Sequence, residues 1–159
     1  MKKLVILLLV LAFLCTAFAG CGIGKTSATY THDDLSITLP ADFINLSEKD
    51  FAAELSFVYG LDPIAVNGLR EPKSTFTAYG LDVDLEKYGQ LLISANNVQA
   101  KPEQKDGILF FTYASGGFSY VVTLWETEDA FWTVQGYCPT ENYNKVKNDI
   151  WQILSSVTV

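Results

Sequence analysis

Apolar residues follow three patterns along this chain: one uninterrupted run at the amino end, stretches that alternate every second residue, and stretches spaced as on a helix. Leu35, Ile37 and Leu39 alternate with Ser36 and Thr38 after the turn-forming His32-Asp33-Asp34, so residues 29–40 are predicted as a β-hairpin closed by Pro40. Ser47 is placed to cap a helix over residues 48–59, with Phe51, Leu55 and Val58 on one side. Asp62-Pro63 breaks that helix, residues 64–69 read as a short strand weakened by Gly68, and residues 70–80 read as polar connection. Leu85, Tyr88, Leu91, Leu92 and Ala95 recur at helical spacing, with Asp82 or Asp84 available to cap the first turn. A charged loop over residues 101–107 leads into three strands, 108–114, 118–125 and 130–138, joined by Gly116-Gly117 and by an acidic turn at 126–129. Such closely joined strands imply an antiparallel meander. Thr140 is expected to cap a last helix bearing Tyr143, Val146, Ile150, Ile153 and Leu154. The fold class is therefore α/β of the α+β type, in one domain over residues 30–159.

The opening run has different physics. Two lysines precede eleven consecutive apolar residues at 4–14, and small residues follow. As a helix those eleven cover about 17 Å, against a hydrocarbon core of about 30 Å. The run is too short for a comfortable span and has the three parts of a secretory signal over residues 1–20. Phe18-Ala19-Gly20-Cys21 ends it. This stretch resembles the lipobox of bacterial lipoproteins, with Phe18 standing where leucine is usual. The resemblance implies cleavage before Cys21 and a diacylglyceryl group on its thiol. Two acyl chains matter because burial gains about 0.8 kcal/mol per CH2 and one chain anchors only marginally. Residues 22–29, rich in glycine, serine, threonine and alanine, read as a short tether that keeps the domain close to the membrane. Gly22 follows the cysteine where aspartate would signal retention at an inner membrane.

Charge and cysteine content narrow the function further. The formal net charge is −7, and removing Lys2 and Lys3 with the leader leaves nine basic against eighteen acidic residues, or −9. An acidic body disfavours binding to phosphate backbones, so nucleic acid is not an expected partner. Cys15 leaves with the leader and Cys21 takes the lipid, so Cys138 has no partner for an intrachain disulfide. At the end of an aromatic strand Cys138 reads as a small buried hydrophobe.

Each constellation that could carry chemistry has a simpler account. Residues 19–26 fit a relaxed phosphate-loop pattern, but the expected cut passes through it and no helical periodicity follows. His32 is the single histidine, which excludes multi-histidine metal sites. Beside Asp33 and Asp34 it suggests a Ser-His-Asp set only if Ser115 or Ser119 is recruited from a distant strand. A hairpin-tip histidine exposed to water is the better account. Asp82, Asp84 and Glu86 alternate like calcium ligands without the glycine and final glutamate of a helix-loop-helix site, and helix capping explains them. Glu126, Glu128 and Asp129 read as a solvated hairpin end. Asn45-Leu46-Ser47 matches a glycosylation acceptor, which has no bearing on a bacterial lipoprotein. No catalytic residue, metal ligand or cofactor is expected.

Leu-Ser-Ile-Thr-Leu-Pro at 35–40, the helix around Leu85-Glu86-Lys87-Tyr88, the strand Phe131-Trp132-Thr133-Val134-Gln135, and the closing Ile153-Leu154-Ser155-Ser156-Val157 resemble the PsbP-like superfamily. The resemblance covers nearly all of the chain after the leader. It implies an antiparallel sheet packed between helices as an αβα sandwich, an accessory or binding role exercised through partners, and no catalytic residues to transfer. Phe110, Phe111, Tyr113, Phe118, Tyr120, Trp125, Phe131, Trp132 and Tyr137 fall on both faces of the predicted meander. Helices covering both faces would absorb them. A face left partly bare would present a surface for a partner or an apolar ligand. The expectation is a lipid-anchored, extracytoplasmic module without enzymatic activity that serves an envelope protein complex. The alternative is a binding module for a small apolar or cationic ligand.

Overall fold

The computed structural model describes residues 26–47 and 55–159; the leader, Cys21 and residues 48–54 of the predicted helix over 48–59 lie outside them. Strand β1 (Ser27–His32) pairs antiparallel with β2 (Leu35–Pro40) around Asp33-Asp34, from Ser27↔Pro40 to His32↔Leu35. Residues 27 and 28, expected in the tether, thus belong to the hairpin. Leu35, Ile37 and Leu39 are fully buried, as their alternation predicts.

The remaining strands form a seven-stranded antiparallel sheet. In chain order they are β3 (Ile44–Asn45), β4 (Phe57–Leu61), β5 (Ile64–Pro72), β6 (Glu103–Lys105), β7 (Ile108–Ser115), β8 (Phe118–Glu126) and β9 (Ala130–Pro139). Their spatial order is β3-β4-β5-β9-β8-β7-β6. The predicted meander is present as β7-β8-β9, and β5 closes onto β9 from Ala65↔Tyr137 to Pro72↔Ala130.

Two expectations are corrected at β4 and β5. Residues 57–59, read as the end of a helix, are strand. Phe57, Val58 and Tyr59 are all buried, Phe57 and Tyr59 on one face and Val58 on the other. A strand covered on both sides loses the alternation that would reveal it. β5 runs on to Pro72 through Gly68, because the Phe57 ring fills the space a side chain at 68 would need. The region read as polar connection holds the end of β5 and a short helix, α1 (Lys73–Thr77).

Two layers cover the sheet. On one face lie the β1-β2 hairpin and the last helix, α3 (Tyr143–Leu154), over Val66, Val121, Trp132, Val134 and Cys138. The chain end is tied to the hairpin: Ser36 and Thr158 exchange two backbone hydrogen bonds of 2.9 Å, and the Ser156 hydroxyl donates to the Thr38 carbonyl. On the other face α1 and α2 (Leu85–Ala95) pack Phe76, Tyr88 and Leu92 onto Phe111, Val122, Leu124 and Phe131. Both helices approach most closely at a glycine: a Cβ on Gly136 would stand 2.6 Å from Ile150, and one on Gly89 would stand 2.7 Å from Leu124. Asp84 caps α2 as predicted, its carboxylate accepting from the Lys87 N–H at 2.8 Å. Thr140 caps nothing; it opens a 3-10 turn (Thr140–Asn142), and its hydroxyl accepts from Ser119 at 3.2 Å. The architecture is an α+β sandwich of antiparallel sheet between helical layers.

Candidate functional site

Register brings the side chains of one sheet face into rows. On the face covered by α1 and α2, the β7, β8, β9 and β5 pairings align residues in rows. Leu109, Leu124, Thr133 and Leu69 form one row; Phe111, Val122, Gln135 and Asn67 the next; Tyr113, Tyr120, Tyr137 and Ala65 the third. Helix α2 secures the first of these. Tyr88 donates its hydroxyl proton to Glu71 at 2.5 Å, its oxygen lies 2.8 Å from the Thr133 hydroxyl, and its ring stacks on Phe131 at 4.7 Å. Burial raises the Glu71 carboxyl, although the Tyr88 hydrogen bond opposes it; burial and the facing Glu71 raise the Tyr88 phenol.

The third row borders the cluster that α2 forms with the sheet. Tyr113 and Tyr120 stack in parallel at 4.5 Å and 4°, Tyr120 and Tyr137 at 5.3 Å and 27°, and Phe118 meets Tyr137 edge-on at 6.2 Å. Tyr113 and Tyr120 are half-buried, and that burial pushes both phenols up. In the row between, Gln135 and Asn67 are 8 % and 4 % exposed, and the Gln135 Oε1 has no hydrogen-bond partner. Leaving a buried acceptor unpaired costs about 1–3 kcal/mol. A stacked phenol row beside a dissatisfied amide suits a molecule offering N–H donors and flat apolar surface. These two amides escaped the sequence reading, although polar amides in mid-strand, in Val66-Asn67-Gly68 and Val134-Gln135-Gly136, were a visible signal.

The sequence-predicted candidates sit elsewhere. His32 is half-buried and not exposed as expected: it stacks on Phe57 at 4.5 Å, and its Nε2 lies 3.1 Å from the Tyr59 hydroxyl. Burial lowers its pKa against the opposing charge of Asp33. The expectation failed because Phe57 and Tyr59 were assigned to a helix. Asp34 accepts from the Trp132 indole N–H at 2.7 Å and pairs with Arg70 at 3.4 Å. Burial opposes its charge, but the Thr127, Trp132 and Arg70 donors prevail and hold its carboxyl at about 2. The acidic turn is exposed as expected, and it is also ion-paired: Arg70 meets Asp129 and Lys73 meets Glu126, each at 2.7 Å. Ser115 and Ser119 lie at the far end of β7 and β8, and Ser119 is bonded to Thr140. Cys138 is 1 % exposed, in keeping with a buried thiol. Among the described residues no group of three or more His, Cys, Asp or Glu is placed to hold a metal ion. Among them, too, no helix is long and apolar enough to cross a membrane.

The solved structure of cyanobacterial PsbP (CyanoP) from Synechocystis sp. PCC 6803 superimposes with a TM-score of 0.56 at 13% identity, covering 89% of this chain and 98% of that one. The chain has a PsbP-like fold. No protein-family model matches the sequence, and no curated protein matches it. At 13% identity the likeness concerns architecture: the sheet between two helical layers is shared, and residue roles do not transfer.

Proposed function

We propose that the protein is a lipid-anchored accessory module on the extracytoplasmic face of the cell membrane, working by binding a partner protein of the envelope and not by catalysis. The observation that carries the reading is the half-buried, stacked pair Tyr113 and Tyr120, continued by buried Tyr137, beside the unpaired Gln135 Oε1. The lipobox-like run ending at Cys21 supplies the anchor. With β1 starting at Ser27, residues 21–26 reach at most about 20 Å, so such a surface would work close to the membrane. The test is crosslinking in intact cells followed by mass spectrometry, with Cys21→Ser as the unanchored control. A discrete envelope protein captured by the anchored form and lost from the control is expected; no reproducible neighbour overturns the reading.

A second reading, a binding module for a small apolar or cationic ligand, is favoured by the same amide, because an ammonium N–H would satisfy Oε1 beside aromatic rings. Mass spectrometry of the purified protein under native and denaturing conditions tests it. A small molecule released only on denaturation supports it.

A further inference from the structure

Strand β7 is a sheet edge over half its length. The two-residue turns Asp106-Gly107 and Gly116-Gly117 close at Lys105↔Ile108 and Ser115↔Phe118, and the closing pair of such a hairpin is hydrogen-bonded. Alternation from both turns agrees: residues 109, 111, 113 and 115 bond to β8, and 108, 110, 112 and 114 point away from it. β6 takes up only the first two of these, Ile108 and Phe110, because its register ends at Glu103↔Phe110. The preceding chain then leaves over the face of α2, where Ala100 joins the buried cluster and Pro102 lies beside Gly89. Thr112 and Ala114 are exposed, and no strand among the described residues takes their N–H and C=O groups. Natural edges are usually guarded by charge, proline or a bulge. Thr112-Tyr113-Ala114-Ser115 carries no charge or proline, and its register with β8 is unbroken.

The two sides of this edge differ. On one, Tyr113 begins the tyrosine row. On the other, Phe110 meets Trp151 of α3 at 5.1 Å, and Lys105 sits over the Trp151 ring at 4.2 Å. Lys147 lies one helical turn before Trp151 on the same flank and is exposed. Among the described residues neither lysine is in an ion pair. Glu103, opposite Phe110, shares this rim and leaves it net positive on a chain whose overall charge is −7.

We propose that the open edge of β7 at Thr112–Ala114 is the docking element for an extended segment of the partner protein, which adds an antiparallel strand to the sheet. The proposal rests on the accessory-module reading and names its partner class. The added strand presents an apolar residue opposite Tyr113, on the tyrosine side. Its residues opposite Thr112 and Ala114 fall on the lysine side and are acidic, so the segment alternates acidic and apolar positions.

The test uses the full chain and a fluorescein-labelled eight-residue peptide alternating valine with glutamate, read by anisotropy at low salt. Ala114→Pro removes an outward N–H at an edge that tolerates proline, and a loss of affinity of about tenfold is expected. N-methylation of the peptide amides along one edge should cost as much on the unaltered protein, which keeps the test decisive if the proline variant misfolds. Lys147→Glu should weaken this peptide about fivefold and strengthen its valine-lysine counterpart. Equal binding of the N-methylated peptide, no binding at millimolar protein, or self-association through this edge that excludes the peptide would overturn the proposal. In cells, partner capture unchanged by Ala114→Pro but lost with Cys21→Ser leaves the accessory role standing and removes the edge from it.

Discussion

The two faces of the sheet are equally aromatic and unequally covered. On the hairpin side the central rings are closed over: Trp132 is fully buried with its indole N–H held by Asp34, and Phe57 is fully buried beneath His32, while Phe110 and Trp125 nearer the rim stay half-buried. On the other side α1 and α2 close over Phe131, Leu124, Val122 and Phe111, and at the margin of that cluster Tyr113 and Tyr120 remain half-buried. Burial at the centre of the first face is complete and stabilises the fold. On the second, the half-buried Tyr113 and Tyr120 rings leave apolar area exposed, and the Gln135 Oε1 is an acceptor without a partner. What packs over each ring thus decides how fully folding uses it, and in the proposed reading the remainder on the second face serves recognition.

The largest contrast should appear on truncation. Ile150→Ala, beneath α3 against Gly136, is expected to cost about 2–5 kcal/mol, whereas Tyr120→Ala should cost no more than about 1.5 kcal/mol; urea unfolding of both variants checks this. Equal losses would abolish the distinction between the faces. Next come the polar staples. Asp34→Ala strands a fully buried indole N–H, and Tyr88→Phe strips the hydroxyl from Glu71 and Thr133; each should lose about 1–3 kcal/mol.

A pH series separates the faces by sign. Burial depresses His32, so the folded state binds fewer protons there; the stability this brings is present above pH about 6.5 and lost as pH falls below it. Glu71 is raised, so stability is gained as pH falls through its elevated pKa. His32→Gln should leave the gain, and Glu71→Gln the loss, each below about 1 kcal/mol after solvent screening. Denaturation midpoints at several pH values between neutrality and pH about 4 read both slopes. The smallest effect is the most particular: Gln135→Leu removes the unpaired acceptor and should be neutral or slightly stabilising, by up to about 1 kcal/mol.

How much of this was legible in the residues follows from how local each signal is. The hairpin of Leu35, Ile37 and Leu39, helix α2 with its Asp84 cap, the β7-β8-β9 meander and the body of α3 all rest on periodicities and turns within a dozen residues, and all are present. β4 was misread because its neighbours on both sides are distant in sequence: the hairpin covers Phe57 and Tyr59, and burial on both faces erases a period of two. The exposure expected for His32 failed, and the ion pairs of the acidic turn were not legible, for the same reason, since Tyr59, Arg70 and Lys73 reach them across 27 to 59 positions. The tyrosine row was half visible: the surplus of aromatics and the possibility of a bare face could be read, but which face, and the flanking Asn67 and Gln135, depended on the β5-β9 pairing.

Site-specific photo-crosslinking in intact cells tests the central claim most directly, with the probe at Tyr120 on the open face or at Thr29 on the outer side of the hairpin, each with and without Cys21. A discrete partner captured from Tyr120, absent from Thr29 and lost with Cys21→Ser, is the predicted result. Capture that is the same from both positions, or none from either, would contradict a membrane-held module that binds through its uncovered face.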